Sequence, residues 1–144
     1  MTGDMMINYL TMSLWLIAAS LLQAVVVWAA LRMGWTTFNP GFTLPFLVGH
    51  LVVGQVAGYL LYSFLSGRGR VPGLSYGIVY GIFLWAVIAL LIAPGLGLFT
   101  SPLTVGVNAT LTTLAAFLVY GAVTGYACQQ AVEDSSKSLK QQAE

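Results

Sequence analysis

The chain has 144 residues, of which 58% are hydrophobic and 6% are Asp, Glu, Lys or Arg, with a net charge of +1. A soluble domain carries about 25% charged residues, so this composition excludes a surface covered by water-seeking groups; the lack of a basic run excludes a nucleic-acid footprint. Cys128 is the only cysteine, which excludes an internal disulfide and dithiol redox chemistry within one chain.

The charges are confined to Asp4, Arg32, Arg68, Arg70 and a tail beginning at Glu133. Between them run apolar stretches long enough to cross a hydrocarbon core of about 30 Å, which takes about 20 helical residues each. The expected fold is all-α: an integral membrane four-helix bundle over residues 1–128, followed by a polar tail, 129–144, that should be disordered on its own.

The first span is expected from about Tyr9 to Arg32. Residues Met1 to Asn8 lack the basic stretch of a secretory signal peptide, so this segment should remain in the membrane. Thr36-Thr-Phe-Asn-Pro-Gly41 is a turn signal. The second span covers about 42–66 and contains His50 and Gln55. After Ser66-Gly-Arg-Gly-Arg-Val-Pro-Gly73, the third is expected over 74–99. Pro94-Gly-Leu-Gly97 and Ser101-Pro102 precede the fourth, over 103–128. Short connections suit antiparallel neighbours in an up-down bundle.

With four spans, both termini and the middle loop share one side. That side holds Arg68, Arg70, Lys137 and Lys140, against Arg32 on the other. The positive-inside rule then places both termini in the cytoplasm, in a bacterial or archaeal cytoplasmic membrane.

Leu51-Val-Val-Gly-Gln-Val-Ala-Gly-Tyr59 recurs as Leu118-Val-Tyr-Gly-Ala-Val-Thr-Gly-Tyr126. Leu14-Trp15 is echoed by Leu84-Trp85. The pattern points to two repeated helical hairpins of like orientation. Glycines four apart stack on one helix face: Gly54 and Gly58 in the second span, Gly73, Gly77 and Gly81 in the third, Gly121 and Gly125 in the fourth. Small residues so placed let helix backbones approach in lipid. Spans two, three and four are therefore expected to converge toward the cytoplasm, with span one peripheral. The alternative is that a glycine face receives a flat ligand such as a quinone, haem, pigment or lipid chain.

The looser outer half is expected to be lined by His50, Trp85 and Asn108. A histidine inside a membrane is a functional candidate, either bonded across helices or ligating haem or copper. Phe117 replaces it in the second copy, so a second ligand would have to come from another chain. Gln23 and Gln55 should lie at similar depth, and Gln23 is expected to bond Gln55 or His50. Thr110, Thr112 and Thr113 should bond helix carbonyls or neighbouring groups, and Tyr76, Tyr80, Tyr120 and Tyr126 should sit toward the cytoplasmic interface. Asn108-Ala-Thr110 has the form of a glycosylation site but lies inside a span. Arg68 and Arg70 are expected to meet lipid phosphates or an acidic partner.

No acidic residue lies within a span, and no nucleophile–base pair or metal-ligand cluster is visible. The chain is therefore expected to be no enzyme, with no catalytic residue, no metal and no resident cofactor. The pattern His50-Leu-Val-Val-Gly-Gln-Val-Ala-Gly-Tyr59, with its echo in the fourth span, resembles that of small four-helix membrane proteins of bacteria and archaea over residues 9–128. That resemblance implies no catalytic residues. The expected function is a non-catalytic accessory subunit of a larger membrane complex, in respiratory or photosynthetic electron transport, with other integral membrane subunits and lipids as partners. The alternatives are a small homo-oligomeric channel or carrier for a neutral or apolar solute, and a haem- or pigment-binding subunit that uses His50.

Overall fold

In lipid, an uncharged apolar segment has to satisfy its backbone polar groups internally, and the helix does so. The structure, a computed structural model, describes residues 2–68 and 72–141, so the contact expected of Arg70 lies outside the described residues. Among the described residues four helices are long and apolar enough to cross a membrane: Tyr9–Arg32, Leu44–Ser66, Gly73–Gly95 and Val107–Lys137.

Helix α1 spans Thr2–Arg32. Gly34 ends it in the left-handed region at φ 70°, and the Trp35 N–H returns to the Ala30 carbonyl at 3.0 Å. Helix α2, Leu44–Ser66, starts at Thr43, whose hydroxyl accepts from the Phe46 N–H, with Pro45 in the first turn. Helix α3, Gly73–Leu84, runs on without interruption as a π segment, Trp85–Ile92, and a last turn, α4, Ala93–Gly95. A short helix α5, Pro102–Val105, precedes α6, Val107–Gln141.

Three boundaries differ from the sequence expectation. The third membrane helix stops at Gly95 rather than at residue 99, because Gly97 adopts φ 69° and the Leu98 N–H closes the end on the Ala93 carbonyl. The fourth begins at Val107 rather than 103, because Gly106 at φ 138° breaks the helix after α5. Residues 129–141, expected to be disordered, continue α6 as helix, with Ala131 packed on the cluster around Met12, Leu16 and Cys128.

The four long helices alternate in direction, and α6 is the hub. It packs most extensively on α3 and then on α1, whereas α2 and α3 scarcely touch. Span one is therefore not peripheral, and spans two and three do not converge. The glycines explain this. A Cβ at Gly77 would run into the Gly121 carbonyl, one at Gly81 into that of Phe117, and one at Gly73 into that of Gly125, so α3 and α6 meet backbone to backbone. Gly54 and Gly58 instead face α1, where Ser20 and Leu16 occupy the space their side chains would need. Each glycine pair of the repeated motif thus receives the first long helix of its own hairpin.

Helix α2 is held to the hub and, at one point, to α3 by donors. Tyr120 hydroxyl donates to the Gly54 carbonyl, Tyr80 to that of Ala57 at 2.7 Å, and the Cys128 thiol reaches that of Gly58 at 3.8 Å. Tyr80 and Tyr120 therefore point into the bundle rather than sitting at the interface, and Tyr120 is buried. Tyr126 stays exposed, edge-on to Trp15, and Tyr76 leans on Phe64.

Candidate functional site

At the end opposite the termini the helices spread around a cavity of about 290 Å³. Helix α1 contributes Gln23 and Val27, α2 contributes Gly49 and His50, and the π segment contributes Ile88 and Ala89. Thr113 and Phe117 of α6 complete the wall, and Phe38, Phe42 and Phe99 from the connections roof it. The lining is aromatic and aliphatic and holds no Asp, Glu, Lys or Arg.

The π segment forms one wall of the space. A proline lacks an N–H and crowds the carbonyl four residues back. Pro94 has that relation to Leu90, inside the widened stretch, and the Ala93 N–H reaches five residues back to Ile88. Trp85, at the start of the stretch, donates its indole N–H to Thr113 Oγ1 at 3.0 Å, which fixes the π segment against α6. π segments of this kind often occur at functional sites.

The polar groups have separate roles. His50 Nε2 lies 2.9 Å from the Ser20 carbonyl, and its ring stacks on Phe46 at 5.8 Å between centroids. That bond crosses from α2 to α1, and Nδ1 is the nitrogen left over. Gln55 donates to the Ser13 carbonyl at 3.0 Å, nearer the termini, where Tyr59 also bonds the Ser13 hydroxyl at 2.6 Å. The expected bond from Gln23 to Gln55 or His50 is therefore absent. The antiparallel register puts His50 and Gly54 near Ser20, and Gly58 and Tyr59 near Leu16 and Ser13. Gln23 and Gln55 are thus separated by more than one helical turn, roughly 8 Å of rise.

Gln23 is only 7% exposed and lines the cavity, and among the described residues no hydrogen bond reaches its amide. The sequence marked Gln23 as a polar group inside a span, but as one that bonds across helices to Gln55 or His50 rather than as part of a cavity wall.

Of the other residues expected in this half, Asn108 donates to the Trp35 carbonyl at 2.8 Å and braces the connections away from the cavity. Thr110 bonds the Pro102 and Gly106 carbonyls, and Thr113 that of Ala109; the buried Thr112 hydroxyl is unpaired. Arg68 lies with its guanidinium 4.0 Å over the Phe64 ring, at the termini end. Among the described residues no group of His, Cys, Asp and Glu is placed to hold a metal ion.

A second recess, a groove of about 830 Å³, runs along the seam where α2 and α3 touch only sparsely. Its walls are apolar, from Val56, Leu60 and Phe64 on one side to Val79 and Phe83 on the other. Val53 and Ile88 line both the groove and the cavity, so the two recesses adjoin there.

Residues 3–143 match a protein family described as conserved membrane protein YqhR. No curated protein and no solved structure matches the chain.

Proposed function

The chain belongs to the YqhR family of conserved membrane proteins, and from that premise we propose that it is a non-catalytic subunit that docks onto a larger membrane assembly through the end of α6. The observation that carries this reading is the unbroken continuation of α6 to Gln141. Gln129 accepts the N–H of Gly73, the first residue of α3, so the last 12 residues of α6 extend about 18 Å past that level. Asp134 and Lys137 on this extension are largely exposed, and their 3.6 Å ion pair within one turn adds little stability. A polar segment already folded as helix has its binding conformation formed, so a partner need not pay to order it.

The Lys and Arg distribution supports cytoplasmic termini, and with them a cytoplasmic extension. The shared placement of both glycine pairs, each against the first long helix of its own hairpin, supports an origin by hairpin duplication. Electron-transport complexes are the first partners to look for.

The test is extraction of the full chain from its own membranes in a mild detergent, followed by sizing and identification of co-migrating chains. Other membrane proteins should co-migrate in fixed ratio and be lost when Asp134→Arg and Lys137→Glu are combined. A free monomer or a homo-oligomer alone would refute docking. A homo-oligomer that passes neutral solutes into liposomes would put the carrier reading in its place.

A further inference from the structure

We infer that the cavity and the groove together bind a neutral membrane amphiphile, its compact oxygen-bearing head against Gln23 and its hydrocarbon tail between α2 and α3. This site stands apart from the α6 extension and does not depend on docking there.

Four observations converge. Gln23 is more than nine-tenths buried, faces the cavity, and no described residue bonds its amide. Its amide keeps its residual access through the cavity, so its partner has to come from there, either water or the polar head of a guest. An amide both donates and accepts, so a carbonyl or a hydroxyl oxygen on the head would serve. The head has to be uncharged: no Asp, Glu, Lys or Arg lines either recess, and an unpaired ion there would lose its hydration with nothing in return.

The aromatic lining sets the shape of the head. Phe38, Phe42, Phe46, Phe99 and Phe117 surround a space of about 290 Å³, near the lower end for small-molecule pockets, which suits one ring or a branched head of similar bulk. The His50 ring, held by Ser20 and stacked on Phe46, presents a fixed flat wall.

The tail follows from continuity. The groove and the cavity share Val53 and Ile88 as lining, so a chain spanning both would pass between these two side chains, and the groove opens along the α2–α3 seam, where Val56, Leu60, Val79 and Phe83 are exposed. A ligand would therefore arrive sideways from the lipid and leave its chain in the groove. A partner helix laid in the groove would cover the same apolar walls but leave the cavity beside Gln23 unfilled, and for that reason the amphiphile is preferred.

Equilibrium binding to the full chain in phospholipid nanodiscs tests this, with four probes: a decyl-substituted benzoquinone, farnesol, palmitate and squalene. The benzoquinone and farnesol separate a ring carbonyl from a hydroxyl head, and saturable one-to-one binding of either supports the site. Palmitate, charged, and squalene, headless, should bind at least about tenfold more weakly. Gln23→Leu should weaken the preferred probe by about tenfold. Gly49→Leu should abolish binding while leaving the fold intact, because Gly49 lines the cavity and a Cβ there meets nothing within 4 Å. Equal binding of palmitate or squalene, failure of both neutral probes, or native affinity in both variants would overturn the inference.

Discussion

Gly77, Gly121 and Gly125 lie where one methyl group decides whether two backbones can touch. A Cβ on Gly77 would meet the Gly121 carbonyl and crowd the Gly125 Cα, and neither backbone atom can swing aside. Gly77→Ala should therefore cost about 1–3 kcal/mol of unfolding free energy, read by titration from mild detergent into dodecyl sulfate. Gly49→Ala is the control, with open space around its Cβ, and should stay within about 0.5 kcal/mol of the native chain. Tyr120→Phe keeps the buried ring and removes the donor to Gly54, so a loss near 0.6 kcal/mol is expected in the same titration. A loss of several kcal/mol would mean that the hydroxyl supports more than one bond. The four-residue glycine spacing was readable in the sequence, but the partner of each glycine was not. Gly54 and Gly121 occupy matching places in nearly identical motifs, yet one faces a serine side chain and the other a bare backbone.

The π segment belongs to the scale of the element. Trp85–Ile92 reads Trp-Ala-Val-Ile-Ala-Leu-Leu-Ile, with no polar residue to reveal the period of the helix, so its widening leaves no mark in the hydropathy pattern. Pro94 was visible, but it read as punctuation between spans rather than as the cause of a distortion one turn earlier. Pro94→Ala restores an N–H and removes the ring that crowds Leu90. Amide hydrogen exchange across residues 88–93 should slow in that variant as the segment returns to α register; unchanged exchange would detach the proline from the π geometry. The end of α6 was misread for a different reason. Residues 129–141 are polar enough to look unstructured alone, but they inherit a helix already nucleated in the membrane, so the costly first turn is never needed again.

For the molecule as a whole, the number of spans was legible because lipid tolerates so few structures, and each apolar run had to become a helix. Neighbour relations were not legible: every face of these helices is apolar, and the hydrophobic pattern cannot say which faces meet protein and which meet lipid. Hence α1 was expected at the edge and lies against the hub, while the seam between α2 and α3 was expected closed and stands open. The cavity was foreseen as looser packing around His50, Trp85 and Asn108; Gln23 was expected to bond across helices, and the register instead sets it in the cavity wall beside His50. Orientation is open to direct measurement. Met33, 77% exposed after α1, and Ser136, exposed on the α6 extension, lie at opposite ends of the bundle. With native Cys128 fully buried, a membrane-impermeant thiol reagent on intact cells should label Met33→Cys and spare Ser136→Cys. The reverse pattern would invert the topology.

The position of α6 as hub also fixes an order of events during synthesis. The helix on which α1 and α3 both pack is the last to leave the ribosome, so the glycine face of α3, with Gly73, Gly77 and Gly81, must wait in lipid until it arrives. The first hairpin can form early, through His50, Gln55 and Tyr59 reaching α1. The second closes only when Gly121 and Gly125 meet α3. A chain released before that point would display three apolar helices with no common partner, the kind of product that membrane quality control removes.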